Sequence, residues 1–264
     1  MATAERTPTA TGTAWRVHGV SVQGYSHLRD GRECQDAYRH GYAQHAGAFV
    51  LAVADGAGSR ERSAEGATLA VGLAVSTLTA TLDRAGVPGD ADAWHRLLDA
   101  AYAEVHGAFA RVTASLGPDP KAFAATLTAV VLAPPWIGVI TLGDGFVVAR
   151  AGPAGRERFH LLAHETGASE YVNETVFLTS AAARSAVVVC CAYDPEVSAV
   201  VLATDGLTGA GIRQEGPRRR PNAAFLEQML ASLDDPTRIA RFLFDEQLTA
   251  VSADDKTLLM AVAR

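Results

Sequence analysis

Val17, Gly19 and Ser21 alternate with His18, Val20 and Val22, a two-residue period that predicts a strand over Trp15–Gly24. Residues 25–47 are polar and Gly-containing, with room for a short strand at Ala37–Gly41. The wholly apolar run Ala48–Ala54 suits a strand buried on both faces and stops at the turn Asp55-Gly56-Ala57-Gly58-Ser59. The period then lengthens. Ala67, Ala70, Leu73, Ala74 and Leu78 predict a helix over Ser63–Leu82, with Ser63 as cap and Glu65 in the first turn. Asp90 precedes a second helix carrying Trp94, Leu97, Leu98, Ala101, Tyr102, Val105 and Phe109, ended by Gly117-Pro118. Strands follow at Ala125–Ala133, Trp136–Leu142, Phe146–Arg150, Arg158–Leu162, Ser185–Ala192 and Val197–Ala203. A polar loop is predicted at 206–221, helices at Asn222–Leu233 and Pro236–Thr249, and a last strand at Thr257–Val262. Hairpin-like strands with two central and two late helices define an α+β chain, antiparallel sheets covered by helices.

Composition narrows the picture. The chain has 264 residues, 48% hydrophobic and 20% charged, which excludes disordered and fibrous classes. A net charge of -6 argues against nucleic acid as a partner. The 3 cysteines, Cys34, Cys190 and Cys191, have no metal-binding spacing and are expected to be free thiols in a reducing cytoplasm. Residues 1–14 are small and polar and are expected to form a disordered arm without a secretory signal. No membrane-spanning segment is expected.

The chemistry lies in acids at strand ends. Three apolar strands run into Asp-Gly: at Asp55-Gly56, Asp144-Gly145 and Asp205-Gly206. Asp254-Asp255 precedes the last strand, and Asp36 closes Glu33-Cys34-Gln35-Asp36. One Asp-Gly is an ordinary turn, because Asp bonds its own backbone and Gly accepts positive φ. Several acids at neighbouring strand ends repel one another unless a cation lies between them. Hard divalent ions take oxygen ligands, and Mg²⁺ keeps several waters, so sparse single aspartates suit it.

These motifs, taken in order, resemble the protein phosphatase 2C family of metal-dependent Ser/Thr phosphatases (PPM type). Asp55–Ser59 resembles its first metal motif and Glu33–Asp36 its upstream acidic motif. Ala125-Thr126-Leu127 with Leu142–Gly145, Ala203–Leu207 and Asp254–Leu258 resemble its three later motifs. Glu170–Thr175 resembles a compact bacterial branch. The resemblance implies a four-layer α-β-β-α sandwich in residues 15–264 and hydrolysis of phosphomonoesters by a metal-activated water. It implies two Mn²⁺ or Mg²⁺ ions: Asp55 bridging them, the Gly56 carbonyl on one, Asp205 and Asp254 on the other, and Asp36 holding metal-bound waters. Asp144 would serve a third ion. A phosphoprotein substrate opposite a Ser/Thr kinase, a monomeric state and a cytoplasmic location follow, with no nucleic acid or membrane partner.

Three positions depart from the family pattern. Ala57 stands where a proton-donating His is common, Gly31 where a phosphate-gripping Arg is common, and Gln35 where Glu is common. Arg32 is one place from the missing Arg. His27 could replace the missing acid or bind phosphate; its plain reading is a hydrogen-bonding His. Arg218–Arg220 reads as a solvated loop. The alternative function is a catalytically weak or inactive interaction or regulatory module on the same fold, but a binding module has no reason to keep Asp36, Asp55, Asp205 and Asp254 together.

Overall fold

The computed structural model describes residues 5–8, 14–164, 175–216 and 218–263. In chain order the elements begin β1 (Glu5–Pro8), β2 (Ala14–Val22), α1 (Tyr25–Asp30), β3 (Ala37–Ala43), β4 (Ala48–Ala54), α2 (Ser63–Ala85) and α3 (Ala91–Leu116). Then come β5 (Leu127–Ala133), β6 (Trp136–Leu142), β7 (Phe146–Ala151), β8 (Arg158–His164), α4 (Ala183–Ala186), β9 (Val188–Tyr193) and β10 (Val197–Ala203). The chain closes with α5 (Thr208–Gly211), β11 (Ile212–Glu215), β12 (Arg218–Pro221), α6 (Ala223–Ala231), α7 (Pro236–Leu243), α8 (Glu246–Val251) and β13 (Lys256–Ala263).

Two antiparallel sheets form the centre. One has the order β1-β2-β13-β10-β7-β8, the other β3-β4-β5-β6-β9. Strand alternation divides the apolar residues into three layers. In β4, Phe49, Leu51 and Val53 point between the sheets, while Val50, Ala52 and Ala54 meet α2 and α3. In β10 and β13, Val200, Leu202 and Leu259 point between the sheets, while Val201, Leu258 and Met260 meet the late helices. Both faces of these strands are covered, which explains why AFVLAVA is apolar throughout instead of alternating. The result is the α-β-β-α sandwich the sequence predicts.

Several local expectations need correction. Tyr25–Asp30 is a helix, capped by Gly31 at φ 66; six residues are too few to carry a visible 3.6-residue period. The predicted loop 206–221 contains the hairpin β11–β12, closed around Gly216 at φ 61. The last predicted helix is two helices, α7 and α8. Ser63 does not cap α2; its hydroxyl donates to the Arg60 carbonyl. Ser185 lies in a helical turn, and the strand starts at Val188. Within the expected arm, Glu5–Pro8 pairs with β2 as an edge strand; Met1–Ala4 and Thr9–Thr13 lie outside the described residues. By length and composition alone α2 is long and apolar enough to cross a membrane, as core helices also can be. Here it packs on the second sheet through Ala67, Ala70, Ala74, Leu78 and Leu82.

Candidate metal centre

The pairing register brings the strand-end acids to one end of the sandwich. Ala37 pairs with Ala54, so Asp36 and Asp55 flank the same edge of β3–β4. Leu127 pairs with Leu142, which sets the Asp144 turn beside the start of β5. Ala203 pairs with both Phe146 and Leu258, which brings Asp205 beside Asp144 and Asp254. The turn Gly143-Asp144-Gly145 carries the chain from one sheet to the other, with Gly143 at φ 104. A Cβ on Gly206 would overlap the Asp255 carbonyl, so only glycine lets the β10 turn lie against the start of β13.

Carboxylate oxygens of Asp55, Asp144 and Asp205 lie within 4.8 Å of one another. Asp36 is hydrogen-bonded to Asp55, and its Oδ2 accepts the Thr204 hydroxyl at 2.7 Å. Burial pushes the Asp55 carboxyl far above the usual carboxylate range, and Asp36, Asp205 and Asp254 push it further. Burial also raises Asp36, against hydrogen bonds from Thr204 and Thr257. Asp205 is pushed up to about 7 by burial and by Asp144 and Asp254. So many carboxylates cannot all ionise side by side without a cation.

The backbone around this cluster is fixed. Asp55 N donates to Thr126 Oγ1 at 2.9 Å, and Thr126 N donates to the Asp55 carbonyl at 2.8 Å. Gly56 N donates to the Gln35 carbonyl at 3.1 Å, and a Cβ on Gly56 would come within 2.7 Å of Gln35 and Ser63 backbone. Asp144 Oδ2 accepts the Thr175 hydroxyl at 2.7 Å, while Asp144 Oδ1 is buried with no partner among the described residues. A buried carboxylate oxygen without a donor is costly unless something positive occupies its other side. The all-oxygen donor set and this orphan oxygen both fit a hard divalent cation.

Asp254 and Asp255 face different surroundings. Asp254 is exposed and close enough to raise both Asp55 and Asp205. Asp255 is buried and accepts from Gly24 N at 2.6 Å, Gln35 N at 2.6 Å and His27 Nδ1 at 2.9 Å. Sequence reasoning passed over Lys256. Its buried ammonium donates to the Asp254 carbonyl at 3.0 Å, and burial lowers its pKa against the pull of Asp254, Asp255 and Asp36. The threonines of the sequence motifs support the acids: Thr126 holds the Asp55 backbone and Thr204 and Thr257 bond Asp36, and only Thr204 neighbours a candidate ligand in sequence.

The other candidates stand as follows. His27 is buried, and its Nε2 points toward Gly58. Arg32 Nη1 donates to the Gly58 carbonyl at 2.6 Å, so part of this guanidinium clamps the Asp55–Arg60 turn instead of facing the acids. Gly31 is the left-handed cap of α1, a conformation in which an arginine would be strained. Ala57 is buried, its N–H bonded to Ala124. Gln35 Oε1 is buried without a partner among the described residues. His18 pairs with Met260 midway along β2, away from the acids. Glu170–Glu174, part of the bacterial-branch motif, lies outside the described residues.

The α-β-β-α sandwich with its clustered strand-end aspartates has the fold of the protein phosphatase 2C proteins. The chain belongs to the protein phosphatase 2C family, whose sequence profile matches residues 23–251. No curated protein matches the chain in sequence. It is similar in structure to a serine-threonine phosphatase 2C from Toxoplasma gondii, at TM-score 0.64 and 16% identity, covering 100% of both chains. The Mycobacterium tuberculosis serine/threonine phosphatase PstP/Ppp gives TM-score 0.61 and 16% identity over 94% of this chain and 98% of its own. A PstP catalytic domain in complex with 2 manganese ions gives 0.59 and 20% over 94% and 98%.

Proposed function

We propose that the protein hydrolyses phosphoserine and phosphothreonine esters of proteins, using divalent cations held by its strand-end aspartates. The observation that carries this reading is the half-buried group of Asp55, Asp144 and Asp205 oxygens within 4.8 Å of one another. Asp55 would touch two ions, the Gly56 carbonyl one of them, and Asp205 with Asp254 the other. Asp36 would hold the ions' waters and Asp144 a third ion. When bound, Mn²⁺ or Mg²⁺ supplies an acidified water and neutralises charge on the phosphoryl oxygens.

The chain's own groups supply order. The hydroxyls of Thr204 and Thr257 hold Asp36, Thr126 holds the backbone of Asp55, and Thr175 orients Asp144. Asp255 fixes the His27 ring through Nδ1 and leaves Nε2 toward the Gly58 side. In the net reaction a water oxygen bonds to phosphorus, the P–O ester bond breaks, and the leaving alkoxide takes up a proton. No covalent enzyme intermediate is needed, so none of the 3 cysteines needs to be a nucleophile. A phosphoprotein made by a Ser/Thr kinase is the partner this chemistry requires; a monomer in the cytoplasm is the setting we propose.

Ala57 and Gly31 favour a second reading, an inactive phosphatase-fold interaction module. Phosphate release from phosphothreonine peptides in Mn²⁺ separates the two. Release abolished by Asp205→Asn supports the enzyme; no release at any Mn²⁺ concentration leaves the module.

A further inference from the structure

A cavity of about 490 Å³ opens beside the acid cluster, within the size range of ligand sites. Arg60, Lys121, Thr175, Phe177, Thr179 and Ser180 line it. Two of its walls lead directly to the proposed reaction centre. Thr175 donates to Asp144 at 2.7 Å, and Ala124, also in the lining, accepts from Ala57 N, two residues after Asp55.

Its charge is unusual for this molecule. The chain has 29 acids against 23 bases, yet no carboxylate is among the described residues lining this cavity. The neighbouring cavity of about 370 Å³ balances Arg32 and Arg60 with Glu33 and Glu61. A third, of about 600 Å³, sets Arg158, Arg219 and Arg220 against Glu157 and Glu227. The side chains of Arg60 and Lys121 have no acidic partner among the described residues. Ser180 Oγ accepts from Phe177 N at 3.0 Å, which leaves its hydroxyl proton to donate outward. Two cations without an acidic partner among the described residues and a hydroxyl donor form an anion-recognising wall, with Phe177 as an apolar part of the lining.

We infer that this cavity docks a second anionic residue of the substrate, close in sequence to the phosphoresidue being hydrolysed. The ligand chemistry is an acidic side chain or another phosphorylated residue. The inference rests on the proposed phosphatase reading, and its test separates the two.

Three labelled phosphothreonine peptides serve as probes, with alanine flanks, with aspartate on both flanks, or with a second phosphothreonine. Hydrolysis is followed in Mn²⁺ and equilibrium binding by fluorescence anisotropy in EDTA, for wild type and Lys121→Glu. Acidic flanks should lower KM about fivefold with kcat unchanged, the scale of two surface ion pairs, and tighten binding similarly. Lys121→Glu should erase both gains. A preference for the doubly phosphorylated peptide over the aspartate one assigns phosphate as the ligand; equal preference assigns any carboxylate or phosphate. Binding gains that vanish in Lys121→Glu without hydrolysis of any peptide would keep the subsite and reject the phosphatase reading. Equal KM and equal binding for all three peptides overturn the inference.

Discussion

His27 Nδ1 lies 2.9 Å from Asp255 Oδ2, and both side chains are buried against the wall of the acid cluster. The same oxygen accepts Gln35 N, and its partner Oδ1 accepts Gly24 N. A carboxylate so saturated holds the imidazole in one orientation and tautomer, as in other oriented acid–base pairs. The position occupied by His in much of the family is Ala57 here, and the His27–Asp255 pair offers an oriented imidazole in its place.

That pair makes a kinetic prediction. General acid catalysis is worth about 10²–10⁴-fold when the leaving group needs a proton. An aryl phosphate leaves readily; a serine alkoxide does not. His27→Ala should therefore lower kcat/KM on phosphoserine peptides at least tenfold more than on p-nitrophenyl phosphate. Equal losses on both substrates would reduce His27 to a structural residue.

Asp254 and Asp255 should fail in opposite ways. Asp255→Ala strips the partner from two backbone N–H groups and His27, a change costing about 2–4 kcal/mol, so Tm should fall markedly. Asp254→Ala removes an exposed oxygen and should leave Tm in EDTA nearly unchanged while weakening Mn²⁺ binding about tenfold or more. Thermal melts and calorimetric Mn²⁺ titrations of both variants check this, and the reverse pattern would reject the register.

Asp55→Asn imitates the protonated carboxyl that burial and its neighbours favour without metal. Its melting temperature in EDTA should match wild type, its Mn²⁺-induced rise in Tm should disappear, and its rate should drop far beyond tenfold, or ~1.4 kcal/mol of barrier. A variant keeping more than about a tenth of the rate would remove Asp55 as the bridge between ions.

Protonation links the cluster to stability. Asp36, Asp55 and Asp205 all have pKa values raised on folding, Asp205 to about 7. The unfolded chain then ionises first as pH rises from the ordinary carboxylate range near 4. Metal-free protein should lose stability steadily between about pH 4 and pH 7. Added Mn²⁺ should flatten the loss, because a cation favours the ionised forms. Melts in EDTA that strengthen with rising pH over this window would contradict the assignment.

Layering was legible where both faces of a strand were apolar, as in Ala48–Ala54 and Val197–Ala203, because complete burial leaves no polar alternation to confuse. Asp55, Asp144 and Asp205 were legible because each follows an apolar strand and precedes a glycine, whereas Asp36 and Asp254 stand ahead of their strands and showed only through the motif resemblance. Less visible were elements too short for a period, such as Tyr25–Asp30, and hairpin strands whose residues stay exposed, such as Arg213–Glu215 with Arg218–Arg220. The His27–Asp255 contact spans 228 positions, which no local pattern encodes. Lys256 follows two acids at the start of a strand, a setting that reads as solvated, whereas β13 carries it inside.

The central claim is that the strand-end aspartates hold catalytic cations. The direct measurement is phosphate release from a phosphothreonine peptide by chelator-treated protein as Mn²⁺ is added back, with Asp205→Asn beside wild type. The account predicts no release in EDTA, saturable recovery with Mn²⁺ in wild type, and little or none in the variant. Undiminished release in EDTA, or full recovery in Asp205→Asn at the same Mn²⁺, would contradict it.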